Sequence, residues 1–147
     1  MSKNIQLIWR GHSCYKIVCE GYSIVVDPYC DDTVPGLGQV REEANQVLCS
    51  HQHKDHNSVE SVTIVNNGAE NPFTITTVAC PHDDDFGNKR GMNIIHIFDN
   101  GELRIAHFGD IGCPLNEKQI EMIGRLDAAL VPVGGFFTME PEGIYEL

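Results

Sequence analysis

Basic residues are scarce in this chain of 147 residues: 10 Lys and Arg stand against 21 Asp and Glu, for a formal net charge of −11 with His neutral. A general nucleic-acid-binding surface needs a basic stripe, so no nucleic-acid partner is expected. Long apolar runs are also missing. No stretch approaches the ~20 residues of a membrane-spanning helix. The start, Met1-Ser2-Lys3-Asn4-Ile5, lacks the apolar region of a secretory leader. A cytoplasmic protein with no membrane partner is therefore expected. The cysteines Cys14, Cys19, Cys30, Cys49, Cys80 and Cys113 include no C-x-x-C pair. Scattered in this way they are expected to be reduced and to pack as small hydrophobes. Cys49 and Cys80 lie close to candidate ligands, and packing is preferred to ligation for both. There is no internal repeat, linker or low-complexity tract, and the length and ordinary apolar fraction suit one domain over 1–147.

What the chain does have is a dense group of metal ligands. Ser50-His51-Gln52-His53-Lys54-Asp55-His56 carries the pattern H-x-H-x-D-H. Neutral imidazole and carboxylate are the donors that borderline divalent ions such as zinc prefer. In an extended segment His51 and His53 point the same way, because side chains alternate with period two. They can grip one ion, while Asp55 and His56, past a turn, can face a second. The preceding Gln46-Val47-Leu48-Cys49 reads as a short buried strand. A strand that ends in a ligand loop gives a metal site a rigid base.

The rest of the chain reads as strands first and helices later. Strands are expected at Ile5–Trp9, Tyr15–Cys19 and Ser23–Val26, the last two joined by a turn at Glu20-Gly21-Tyr22. Val26 runs into Asp27-Pro28, where proline ends the ladder. Residues 29–40 are a Pro- and Gly-containing loop. Asn57, with Glu60 three residues on, predicts the N-cap of a short helix. Strands follow at Phe73–Cys80, Met92–Phe98 and Leu103–Phe108, with a hairpin at Asp99-Asn100-Gly101. The spacing of Ile120, Ile123 and Leu126 predicts a helix over 116–126. Ala128–Val133 reads as a buried strand. This order suggests an α/β layered domain with a mixed sheet.

On these residues the chain resembles the metallo-β-lactamase fold superfamily, and within it the small metal-dependent hydrolases related to ascorbate-phosphate lactonase. The resemblance is carried by Gly11-His12-Ser13-Cys14-Tyr15, Val26-Asp27-Pro28, the H-x-H-x-D-H loop and His82-Asp83. It continues through Arg90-Gly91-x-Asn93, Gly109-Asp110 and Val131-Pro132-Val133-Gly134-Gly135. It implies an αββα sandwich with a two-metal site. His51, His53 and His82 would hold the first metal, Asp55 and His56 the second, and Asp110 would bridge both. Asp27 would orient a ligand of the loop by a hydrogen bond. The family pattern continues with a further helix, a strand and a last ligand histidine, whereas no histidine follows His107 here. The expectation is a C-terminally incomplete sandwich, with a weaker second metal and possible self-association through an uncovered edge.

The implied chemistry is hydrolysis by a metal-activated water, with Asp55 and Asp110 as the catalytic carboxylates, of a small anionic ester, lactone or phosphodiester. One or two divalent ions are expected, zinc first, with manganese or iron as alternatives. His12 is a substrate-side or ligand-orienting residue, or a structural histidine. Arg90 can bind a phosphate or carboxylate bidentately, or be a solvated surface residue. Asn93 is a candidate to assist it. Asp83 belongs to the matched motif and can orient a ligand, while Asp84 and Asp85 read as a solvated loop. His96 and His107 read as packing residues, His107 with an alternative role behind a ligand. Ser13 and Ser50 read as structural. The competing reading is a non-catalytic metal-binding domain. A di-iron redox protein of the same fold is disfavoured by His53, where such relatives usually carry glutamate.

Overall fold

A computed structural model describes residues 3–135 and 137–146. The chain divides into two compact units, Met1–Pro72 and Phe73–Leu147.

The first unit is built on a sheet of order β1-β2-β3-β5. The strands are β1 (Ile5–Gly11), β2 (Cys14–Cys19), β3 (Tyr22–Val26) and, further along, β5 (Gln46–Leu48). β1, β2 and β3 form an antiparallel meander, and β5 lies parallel to β3. The turn expected around Gly21 is a two-residue loop, since Cys19 pairs with Tyr22. Two strands went unforeseen: β4 (Glu42–Ala44) and β6 (Val62–Ile64), which pair in parallel. At three residues each they are too short to show a period. Cys14, Val25, Tyr29, Val40, Ala44 and Val62 form the core of this unit. Ile24 and Val26 point to the other face of β3 and are equally buried.

The helix expected after Asn57 is a single 3-10 turn, Val59–Ser61, and its N-cap is Ser58. The Asn57 amide nitrogen donates to the Gln52 side chain.

The second unit holds a sheet of order β10-β9-β8-β7. Its strands are β7 (Thr74–Pro81), β8 (Met92–Asp99), β9 (Arg104–His107) and β10 (Ala128–Leu130). β7, β8 and β9 are antiparallel neighbours, and β10 runs parallel to β9. At the β8–β9 hairpin the Asn100 side chain accepts from the backbone N–H groups of Glu102 and Leu103. α1 (Glu117–Ile123) opens with a capping box between Asn116 and Gln119 and ends at Gly124, earlier than the apolar spacing predicts. Ile123 enters the core, while Ile120 is exposed. A second short helix, α2 (Pro141–Tyr145), starts on proline and contributes Ile144. The strand at Ala128 is shorter and less buried than expected: Ala129 is exposed, and Val133 beyond it is 71% exposed. β10 lies at the end of its sheet, with β9 as its one sheet neighbour among the described residues. No helix among the described residues is long and apolar enough to cross a membrane.

Candidate metal centre

In the first unit the ligand loop is anchored from below by one buried carboxylate. Asp27 leaves β3 in a left-handed conformation, φ 53°, and is fully buried. Its Oδ1 accepts from the Ser50 backbone N–H at 2.6 Å. Its Oδ2 accepts from the Ser50 hydroxyl at 2.6 Å and lies 2.8 Å from His56 Nδ1. The Ser50 hydroxyl in turn lies 2.8 Å from His51 Nδ1. An ionised carboxylate only accepts, so His56 Nδ1 must carry a proton. Ser50 spends its single proton on Asp27, so His51 Nδ1 must donate to the hydroxyl. In their neutral forms both rings are thereby held as the tautomer with its lone pair on Nε2, the form that ligates a metal.

The loop draws its rings together. The His51 and His53 centroids are 4.5 Å apart and those of His51 and His56 are 4.1 Å apart. His51 and His56 are buried, while His53 is exposed. His12 reaches the same loop from the end of β1. Its Nε2 lies 3.1 Å from Asp55 Oδ2 and 3.3 Å from His56 Nε2. His56 Nε2 and Asp55 Oδ2 are 3.4 Å apart. Hydrogen bonding from His12, the largest cause, holds the Asp55 carboxyl well below the usual carboxylate range despite partial burial.

In the second unit β7 delivers His82, and the turn after β9 delivers Asp110. His82 Nε2 and Asp110 Oδ2 are 3.2 Å apart, with both side chains largely buried. Asp83 does not solvate with its neighbours but organises the loop beyond it. Burial would raise its carboxyl, but backbone N–H groups of Arg90, Asp85, Gly87 and Lys89 all donate to it and hold it at about 2. Asp84 and Asp85 are exposed, as expected of a solvated loop. Arg90 is placed by this clamp. Its guanidinium lies 5.3 Å from the centre of the Phe137 ring, and it shares with His82, Asp83, Lys89 and Glu140 a cleft of about 380 Å³.

Asn93 is not placed to touch substrate, contrary to expectation. It is fully buried on β8. Its amide donates to the Phe108 carbonyl at 2.8 Å and its oxygen accepts from the Asp110 N–H at 2.9 Å. It therefore clamps the turn that carries Asp110. His107 is buried, and its Nδ1 accepts from the Gly109 N–H in the same turn. His96 packs against Phe98. All six cysteines are free thiols. Burial pushes Cys14 up to about 12, and Cys49 and Cys80 up to about 11, which keeps them protonated near neutral pH.

Two contributors were not legible in the sequence. Ser50, read as structural, relays Asp27 to His51; a hydroxyl immediately before the first ligand histidine was the available signal. Gly112 lies so close to the backbone of His82 and Asp83 that a Cβ there would collide with it, and it donates to the Pro81 carbonyl. Nothing local marks that approach.

The donors in both units are imidazole nitrogens and carboxylate oxygens, several of them backed by buried hydrogen bonds. That set fits a borderline divalent ion.

Residues 6–147 match the family of β-lactamase superfamily domains. Similar curated proteins include a metal-dependent hydrolase of Thermoplasma acidophilum, 25% identical over 98% of this chain and 77% of its own length. Another, of Caldivirga maquilingensis, is 30% identical over 92% of this chain and 72% of its own. A solved structure from Thermotoga maritima, assigned to the Zn-dependent hydrolases of the metallo-β-lactamase superfamily, matches with a TM-score of 0.70 at 33% identity. The match covers 97% of this chain and 69% of that one. A structure from Parabacteroides distasonis, assigned as a metal-dependent hydrolase, has a TM-score of 0.69 at 18% identity and covers 97% of this chain and 76% of that one. The α/β fold of metallo-β-lactamase type expected from the sequence is the fold of these structures.

Proposed function

The chain belongs to the family of β-lactamase superfamily domains, and on that footing we propose that it is a metal-dependent hydrolase of a small anionic ester, lactone or phosphodiester. The observation that carries the reading is the buried Asp27 carboxylate. Directly at His56 and through Ser50 at His51, it commits two imidazoles of one loop to present Nε2. A fully buried carboxylate serving two histidine Nδ1 atoms is costly to maintain for packing alone, and it is the support that metal-ligating histidines require.

The residues that hold metal in this reading are His51, His53, Asp55 and His56 of the first unit and His82 and Asp110 of the second. Zinc is the ion that best suits the donors. A divalent ion bound there supplies a Lewis acid and a water acidic enough to be deprotonated near neutral pH. The chain's own residues do the rest. Asp27 and Ser50 fix ring orientation and tautomer. Asn93 and His107 hold the Asp110 turn. Asp55 and Asp110 are the carboxylates available to accept a hydrogen bond from that water and orient it. Arg90, in a cleft with His82, binds an anionic group of the substrate through its planar fork.

The test is metal analysis of the purified chain, followed by a hydrolysis screen over esters, lactones and phosphodiesters with and without chelator. Chelator-sensitive turnover that prefers anionic substrates is expected. Turnover that survives complete metal removal would refute the reading.

A further inference from the structure

Three unusual backbone features converge on His12. The register of β1 against β2 slips between Trp9 and Gly11, a β-bulge that leaves Arg10 as the extra residue. Gly11 follows at φ 110°, and a Cβ there would press on Leu37 and the Tyr29 hydroxyl. His12 itself is left-handed, φ 50°. Bulges and left-handed non-glycine residues concentrate where a side chain must be re-aimed at a functional site. Here the result is that the His12 imidazole meets Asp55 and His56, more than forty residues away in sequence.

The three donor atoms lie 3.1, 3.3 and 3.4 Å apart. Ligands each roughly 2.1 Å from one ion stand ~3.0 Å apart at adjacent octahedral positions and ~3.4 Å apart at tetrahedral ones. The triangle falls within that range on every side. Protons serve such a cluster less well, because each can bridge only two of the atoms. One cation serves all three, and His56 Nδ1 is already committed to Asp27.

We propose that His12, Asp55 and His56 together form a three-ligand divalent-cation site in the first unit, with His12 as a direct metal ligand rather than a substrate-side residue. This deepens the metal-dependent reading above and rests on it. His12 would supply a third ligand to the ion that Asp55 and His56 hold.

The proposal is tested on the full chain, stripped of metal and titrated with Zn²⁺ against a chromophoric chelator and with Co²⁺ by absorption. The single tryptophan, Trp9, donates to the His12 carbonyl at 2.9 Å, so its quenching by Co²⁺ gives a local readout. His12→Gly removes the imidazole where glycine tolerates the backbone. Expected are an affinity loss at one site of more than ~100-fold, beyond the 10–100-fold cost of losing an outer hydrogen-bond partner, a changed Co²⁺ spectrum, and recovery of both on adding free imidazole. Should His12→Gly fail to fold, His12→Asn, which also accepts a left-handed backbone, is read in the same way without rescue. Unchanged affinities and an unchanged Co²⁺ spectrum in a folded variant would overturn the role of His12 alone. A wild-type chain that binds neither ion would overturn the metal-dependent reading with it.

Discussion

Replacing Asp27 by Asn keeps the shape of the side chain and suits its left-handed backbone, yet should damage metal binding as severely as removing the carboxylate. The reason is proton bookkeeping. The amide oxygen can still accept from the Ser50 N–H, now made at 2.6 Å. The amide nitrogen must then occupy the Oδ2 position, which faces the Ser50 hydroxyl and His56 Nδ1. It is a donor, so His56 Nδ1 must become an acceptor and its proton moves to Nε2. Ser50, now accepting from the amide, turns its own proton to His51 Nδ1, which reverses that ring as well. Each mis-set ligand should cost about 10–100-fold in affinity, or ~1.4–2.7 kcal/mol. The two together should cost ~3–5 kcal/mol, less if they act as a unit.

Asp27→Ala should behave differently in stability. It removes a buried acceptor of three hydrogen bonds and places alanine in a left-handed conformation. The metal-free protein should lose ~3–5 kcal/mol, whereas Asp27→Asn should lose less. Chelator-competition titration gives the affinities. Thermal unfolding in excess chelator gives the stabilities. Nitrogen-15 chemical shifts of the imidazoles, at a pH where the rings are neutral, give the tautomers. If Asp27→Asn binds Zn²⁺ like the wild type, or if His56 and His51 keep their lone pairs on Nε2, the tautomer argument is wrong.

Gly112→Ala should weaken metal binding without touching a ligand, because its Cβ would displace the backbone of His82 and Asp83; wild-type affinity and melting temperature in this variant would contradict the close approach. Arg90→Ala should raise KM for anionic substrates by about 10–100-fold, as loss of hydrogen bonds to a charged group implies, and leave neutral analogues unchanged. An equal change for both substrate classes would remove its role as an anion anchor. Asp83, held at about 2 by four backbone N–H groups, has a depressed folded-state pKa. Its contribution to stability is present above ~4 and is lost as pH falls through about 2. The melting temperatures of wild type and Asp83→Asn should therefore differ at pH 5 and converge toward pH 2, and a gap that does not narrow would exclude the clamp as its origin.

What the sequence by itself determined was mostly local. The H-x-H-x-D-H pattern names its chemistry because ligand type and spacing are written in six consecutive residues. The hairpins around Gly21 and Asn100 were legible because turn residues and period-two alternation act over a few positions. The presence of α1 was legible from the spacing of its apolar residues over a few positions. Its length was not, because Gly124 ends the helix before the apolar spacing runs out. The three-residue strands β4 and β6 escaped because parallel pairing, not any pattern of their own, makes them strands.

The tertiary structure decided everything that depends on distant residues meeting. Asp27 and Ser50 are 23 positions apart, and His12 and His56 are 44 apart. Only the alignment of strand ends brings either pair within hydrogen-bond reach. The same holds for Asn93, which the motif placed beside substrate and which packing buries behind Asp110. It holds also for Gly112, whose missing side chain matters only because the backbone of His82 lies against it. A ligand's chemistry is a property of its residue type, but its orientation, tautomer and partners are properties of what packs behind it. That backing is assembled from across the chain.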